Sequence, residues 1–285
     1  MSVLVPTSLD GALAALAADP DAHVLAGGTD LMVEVNFGHR RPKSVVAINR
    51  IAELSGWRRS ADGAHVVLGA GLTYRAMEHG ELARLVPALA QAARTVGSPQ
   101  IRNAATIGGN LATCSPAGDG LPVLSALDAT VELASAGDGR MVSVHEFMVG
   151  VKRTVRRPDE LIVAVHLPVL RGWQGYSKVG VRNAMVIATA SVCLATDLDG
   201  HAVRLAMGAV GPTVIRARDA EAWIATQIDW TAGALIGDRA AIAAELATRV
   251  RAEARPIDDH RSTAAYRRHA VGVLAGRLLT RAFPT

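Results

Sequence analysis

The chain has 285 residues, of which 50% are hydrophobic and 20% charged, with a net charge of +4. That apolar content and modest charge exclude a disordered chain and supply core for one large domain or two ordinary ones. Two cysteines, Cys114 and Cys193, are too few for a disulfide scaffold or for a Cys-ligated iron–sulfur cluster, which takes about four thiolates.

No apolar run reaches the ~18 residues of a membrane span; the longest, 184–195, holds Thr189 and Ser191. The first basic residue is Arg40, so no basic secretory leader is expected. These features set the expectation of a cytoplasmic protein.

In chain order, 7–18 reads as a helix that Thr7 or Ser8 can cap, with Asp10 at its positive end. Short strands follow at 23–26, 45–48 and 64–69, then a helix over 81–96 with Leu82, Leu85 and Leu89 on one face. Residues 101–119 read as a loop-rich stretch, 121–127 as a short helix, and 129–134, 141–144 and 160–167 as strands. A boundary lies near Arg171-Gly172-Trp173. Beyond it, 175–181, 186–197 and 202–209 read as a three-strand meander with a turn at Asp197-Leu198-Asp199-Gly200. Helical periodicity then covers 217–226, 233–254 and 261–282. The layout is α+β rather than a strict βαβ alternation.

Of the 30 basic residues 27 are Arg, and seven of those lie from Arg251 onward against only Glu253, Asp258 and Asp259. They alternate with Ala, Leu and Val at helical spacing and lack aromatic partners beyond Tyr266, which fits a solvated or partner-facing helix. Nucleic acid, which needs stacking platforms, is not expected.

The chemistry concentrates in two glycine loops, Leu25-Ala26-Gly27-Gly28-Thr29-Asp30-Leu31 and Ala105-Thr106-Ile107-Gly108-Gly109-Asn110-Leu111. Paired glycines let backbone approach a ligand, and successive N–H groups can converge on an anion. Two such loops suit a pyrophosphate held from both sides, with Thr29 and Asn110 as added donors. Gly69-Ala70-Gly71-Leu72-Thr73-Tyr74 begins like a Rossmann fingerprint, but Tyr74 stands where its third glycine belongs. There is no P-loop, no GxSxG elbow and no HExxH, and the nine His are scattered. No metal site is expected.

The two loops, with Ser115-Pro116-Ala117-Gly118-Asp119, resemble the FAD-binding medium subunit of the molybdenum hydroxylases, the family of xanthine and carbon monoxide dehydrogenases. Ser98-Pro99-Gln100-Ile101-Arg102-Asn103, Tyr176-Ser177-Lys178-Val179-Gly180 and Tyr266-Arg267-Arg268-His269 agree, so the resemblance covers essentially the whole chain. It implies a two-part FAD-binding domain of the vanillyl-alcohol oxidase/p-cresol methylhydroxylase type over 1–171. A C-terminal flavoprotein domain of a three-stranded antiparallel sheet and helices follows over 172–285.

The resemblance also implies roles. Val24, Leu25, Ala26, Gly27, Gly28, Thr29, Asp30 and Leu31 would wrap the pyrophosphate and adenosine side. Ala105, Thr106, Gly108, Gly109 and Asn110 would hold the pyrophosphate opposite. Ile101 would line the pocket, and Leu161 would lie against the isoalloxazine. Gly118 and Asp119 would meet the polyol or ring edge, and Lys178 would stand near the flavin. Gly28 departs from the charged or amide residue of xanthine dehydrogenases.

The implied function is an electron-transfer subunit. FAD on this chain would receive electrons from [2Fe–2S] clusters on a small subunit, fed by the molybdenum–pterin centre of a large one. A free-standing flavin oxidase or reductase of the same fold, a flavin-less binding module and an unrelated nucleotide-binding fold are the alternatives.

Overall fold

The computed structural model describes residues 1–284. The chain runs β1 (Ser2–Leu4), α1 (Leu9–Ala18), β2 (His23–Leu25), α2 (Leu31–Asn36), β3 (Ser44–Ala47), β4 (Trp57–Arg59), β5 (His65–Gly69) and α3 (Tyr74–Met77). It continues with α4 (Gly80–Leu85), α5 (Pro87–Thr95), α6 (Pro99–Ala104), α7 (Ile107–Thr113), α8 (Gly120–Ala126), β6 (Thr130–Ser135), β7 (Asp138–Ser143), α9 (Val144–Phe147), β8 (Met148–Gly150), β9 (Arg153–Thr154) and β10 (Leu161–Pro168). The remainder is β11 (Gln174–Val179), β12 (Ala190–Asp197), β13 (Ala202–Gly208), β14 (Ile215–Arg216), α10 (Arg218–Ala225), β15 (Ile228–Asp229), β16 (Ala234–Leu235), α11 (Arg239–Glu253) and α12 (Ala264–Ala282).

These elements form two compact units, each discontinuous in sequence: residues 1–76, 98–114 and 128–168 make the first, and 77–97, 115–127 and 169–285 the second. The segments 77–97 and 115–127 thus pack with the C-terminal residues.

The first unit holds a parallel sheet in the order β1-β3-β2 and an antiparallel one in the order β4-β5-β10-β6-β7. Ser8 is the cap that starts α1, its Oγ accepting from Gly11 N. Ala12, Leu13 and Leu16 of that helix close a core with Val46, Ile48, Ile51, Leu54 and Leu161.

In the second unit the sheet β11-β12-β13-β14 sorts its side chains by the period of two that the pleat imposes. Ala190, Val192 and Leu194 enter a core with Ile224, Leu246, Val271 and Leu278 from α10, α11 and α12. Ser191 and Cys193 point the other way; a Cβ on Gly208 would meet Ser191 Oγ at 2.5 Å and Pro122 of α8 at 2.8 Å.

Three local expectations need correction. The helix expected over 81–96 breaks at Val86, because Pro87 has no N–H and pushes its predecessor out of helical geometry; Pro87 opens α5 instead. The stretch 101–119 is no continuous loop. Ser98 and Thr106 each cap a helix, accepting from Ile101 N and Gly109 N, so much of the stretch forms α6 and α7. The meander gains a short fourth strand, β14, and β12 begins at Ala190 rather than at 186.

Glu160, directly before β10, ties the five-stranded sheet at its end. It is 3% exposed and accepts from Arg140 Nε at 2.6 Å, Arg140 Nη2 at 2.9 Å and Arg157 N at 2.6 Å. The Arg140 hydrogen bonds favour the charged carboxylate and hold its pKa below the usual carboxylate value. A depressed folded-state pKa gives stability that is present above the unfolded value and lost as pH falls through the folded one. Glu160→Gln will therefore lower stability at pH 7 by roughly 1.5–3 kcal/mol. Its loss of stability on acidification will be shallower than that of the wild type, as urea unfolding from pH 7 down through the carboxylate range will show. Parallel acid limbs would contradict this.

Candidate functional site

In the first unit, β2 runs into a loop that packs flat on the end of α6. A Cβ on Gly27 would stand 1.7 Å from the Ala104 carbonyl oxygen, so no side chain fits there. Gly28 turns the chain at φ +71°, a region L residues adopt at a cost of about 1–2 kcal/mol. Among the described residues, no backbone N–H from Gly27 to Asp30 has a protein acceptor. Four adjacent donors left open by a loop of this shape could receive an anion, as a candidate cradle. The Asp30 carboxylate, which would repel an anion, is bound by Thr113 Oγ1 at 3.3 Å.

The second glycine loop behaves differently. Four of its backbone donors are occupied: Ile107 N reaches Leu72 O, Gly108 N reaches Ala70 O, Gly109 N reaches Thr106 Oγ1, and Asn110 N reaches Thr106 O. Gly108 is required by packing, since a Cβ there would lie 2.6 Å from Ala70 Cβ. Open backbone donors thus concentrate in the first loop. The second loop contributes side chains: the Thr106 hydroxyl, and Asn110 Oδ1, which is buried without a partner.

The two loops meet at a cavity of about 350 Å³ lined by Ala26, Gly27, Asn49, Ser55, Thr73 and Thr106, with Asn103 and Ala104 at its wall. The described lining carries no charged side chain. Asn49, Ser55, Thr73 and Asn103 went unmarked as site residues, because scattered Asn, Ser and Thr carry no spacing signal. The bridge pairing Thr73 with Thr106 places one pair side by side.

The other expected site residues divide between the units. Val24 and Leu25 lie half-buried in β2, Leu31 opens α2, Ala105 caps the end of α6, and Ile101 on α6 is 37% exposed. Leu161 is 2% exposed inside the core beneath α1, so packing takes the surface it was expected to offer a flavin.

In the second unit, Gly118 sits buried in a turn, its N–H donating to Ser115 O. Next to it, Asp119 and Lys178 form an ion pair at 2.8 Å with both side chains under 10% exposed. Lys178 Nζ also donates to Thr95 O at 2.8 Å and Val186 O at 3.0 Å. Its three protons are thereby engaged. Tyr176 Oη donates to the other Asp119 oxygen at 2.8 Å. Tyr176 and Lys178 share one face of β11 by strand alternation, a signal that could have marked Tyr176. Burial raises the Asp119 pKa, against the opposing pull of Lys178 and Tyr176, and burial with the neighbouring carboxylate pushes the Tyr176 hydroxyl well above its ordinary value.

The residues present fit a dinucleotide cofactor. Free N–H donors match a pyrophosphate, the orphaned Asn110 oxygen matches a sugar or polyol hydroxyl, and a cavity lined in part by Asn, Ser and Thr side chains adjoins the first loop at Gly27. Comparison with known proteins decides which one. Residues 1–170 match the family model for the FAD binding domain in molybdopterin dehydrogenase, and 176–282 match the CO dehydrogenase flavoprotein C-terminal domain. The chain belongs to the FAD-binding medium subunits of the molybdenum hydroxylases. It is 34% identical over 271 residues to the glyceraldehyde dehydrogenase medium chain of Sulfolobus acidocaldarius, covering 94% of this chain and 92% of that one. It is 30% identical to the carbon monoxide dehydrogenase medium chain of Afipia carboxidovorans, covering 97% and 94%. The solved carbon monoxide dehydrogenase of Hydrogenophaga pseudoflava superposes with a TM-score of 0.87 at 29% identity, covering 99% of this chain and 96% of that one. Quinoline 2-oxidoreductase of Pseudomonas putida superposes at 0.88 and 26% identity.

This medium subunit contains no helix, among the described residues, long and apolar enough to cross a membrane. Nor do its described residues bring three or more His, Cys, Asp or Glu together as a metal site.

Lys178→Met strands the Asp119 carboxylate in its buried place. Removing one partner of such a pair costs about 3–5 kcal/mol. Adding Asp119→Asn to Lys178→Met will recover part of the loss, and a double-mutant cycle by chemical denaturation measures the coupling. Strictly additive losses would contradict the pair.

Proposed function

We propose that this chain binds one FAD through the Gly27–Asp30 loop and passes electrons from iron–sulfur clusters of a small subunit to an external acceptor. A molybdenum–pterin large subunit oxidises the substrate in the same cytoplasmic complex. The observation that carries the reading is the row of four acceptor-free N–H groups at Gly27, Gly28, Thr29 and Asp30, on a chain of this family.

Bound FAD would supply the one- and two-electron chemistry, and the chain's residues bind and orient it. Gly27 to Asp30 neutralise the pyrophosphate with backbone dipoles, in place of a cationic side chain. The Thr106 hydroxyl donates from the second loop, and Asn110 Oδ1 accepts from a hydroxyl of the cofactor. Asn49, Ser55, Thr73 and Asn103 give the adjoining cavity uncharged hydrogen-bonding walls. Asp119 and Lys178 hold the 119 turn, β11 and the end of α5 together, so their charges cancel inside the second unit. No residue here needs to act as nucleophile or general base, which agrees with the lack of an elbow serine in the sequence.

A complex co-expressed with its large and small subunits will show flavin bands lost on denaturation, and anaerobic addition of substrate will bleach them. The double variant Gly28→Val/Gly109→Val will retain reduction of the iron–sulfur bands and lose the flavin signal. Flavin retained at wild-type stoichiometry in that variant would overturn the assignment of the loops.

A further inference from the structure

The carbonyls of the candidate cradle are held by α2. Met32 N donates to Gly28 O at 3.2 Å, and Val33 N and Glu34 N donate to Asp30 O at 3.0 and 3.2 Å. The loop therefore goes where the helix goes. Packing anchors that helix poorly, since α2 is six residues long and none of its residues is buried. Its polar anchor lies on the β8–β9 hairpin of the same unit. Lys152 Nζ donates to Glu34 Oε1 at 2.6 Å, while Arg40 holds the other Glu34 oxygen at 2.7 Å. The Lys152 hydrogen bond, with the charges of Lys152 and Arg40, holds the Glu34 carboxyl below the usual carboxylate value. The hairpin is in turn fixed to the end of α7, the helix that begins in the second glycine loop. Lys152 N donates to Cys114 O at 3.1 Å, and Cys114 Sγ donates to Gly150 O at 3.6 Å. One residue before Cys114, Thr113 Oγ1 reaches the Asp30 carboxylate. Lys152 itself sits at φ +53°, in the left-handed region that favours glycine. A glycine there would relieve the backbone and leave Glu34 without its lysine.

We propose that Lys152 is a positioning residue for the cofactor: its ion pair with Glu34 ties α2, and with it the Gly27–Asp30 loop, to the end of α7. The two glycine loops thereby keep one spacing. Three observations select this role over that of an ordinary surface pair. Lys152 links the elements beside the two loops through its backbone at Cys114 and its side chain at Glu34. Its left-handed backbone is a cost that a side chain with a task can offset. Glu34 keeps Arg40 when the lysine is lost, and Lys152 is 51% exposed, so the pair fixes a position and adds little to global stability. Lys152 acts through Glu34 and makes no contact with the cofactor. The inference rests on the proposed FAD function.

The test is calorimetric titration of the full chain with FAD and with riboflavin, which lacks the pyrophosphate. Lys152→Met will weaken FAD binding about three- to fivefold, the range of an exposed ion pair, and leave riboflavin affinity unchanged. Lys152→Arg will recover most of the FAD affinity. Glu34→Ala will weaken FAD binding by a similar factor, and adding Lys152→Met to it will cost nothing further. A loss that persists in the Glu34→Ala background would place the ammonium on a phosphate and overturn the positioning role. An equal loss for both ligands, with a lowered urea midpoint, would overturn it too, because the effect would then be on folding. A wild-type chain that binds FAD and riboflavin alike would refute the functional reading, and the positioning role with it. Wild-type discrimination retained in Lys152→Met would refute the positioning role alone.

Discussion

The close approach of Gly27 to the Ala104 carbonyl is the constraint on which the proposed cofactor site depends. With the loop pressed against the end of α6, a Cβ would stand at 1.7 Å, and the residues beyond it form a turn that leads into α2 at Leu31. The N–H groups of Gly27 to Asp30, ahead of the first turn of α2, meet no protein acceptor. That row is already arranged for an anion. In the proposed site, binding energy and specificity for phosphate would come from a loop set by a packing contact of backbone on backbone, with no lysine or arginine in the adjoining cavity.

The second glycine pair shows that one motif can carry two kinds of physics. Gly108 is small because Ala70 occupies the space, and its N–H completes a bond to Ala70 O. Gly109 leaves room for its own N–H to reach the Thr106 cap. This loop positions Thr106 and Asn110, whereas the first presents bare backbone. In the second unit Asp119, Tyr176 and Lys178 make a buried polar knot whose members satisfy one another. A knot of this kind fixes its surroundings and is intolerant of losing any one partner.

Much of the fold was legible in the residues. Strands 23–25, 44–47 and 65–69 follow apolar runs, and α10, α11 and α12 follow their period of 3.6, although 233–238, read as the start of a helix, holds β16 and a turn before Asp238 caps α11. What misled was local chemistry with more than one outcome. Glycine-rich 101–119 looked like loop, yet two capping hydroxyls turn most of it helical, because a cap satisfies donors whatever the propensity of the residues that follow. The motif identified both loops but could not tell free N–H groups from bonded ones, since that depends on Ala70 and Leu72, more than thirty residues away. Lys178 and Asp119 were visible as singletons; their pairing across 59 positions, and the Tyr176 bond that completes it, arises only when β11 meets the turn before α8. The apolar α2 gave no signal of its exposure, because a short apolar run looks the same whether it is buried or exposed.

The most direct test of the central claim is a calorimetric comparison of FAD and riboflavin binding to the purified full chain. If the Gly27–Asp30 donors supply the grip on the pyrophosphate, FAD will bind at least about a hundredfold more tightly than riboflavin, equivalent to two or more charge-assisted hydrogen bonds. Gly28→Val will remove most of that difference. Equal affinity for the two ligands would contradict the account, because recognition would then reside in the flavin ring and not in the cradle.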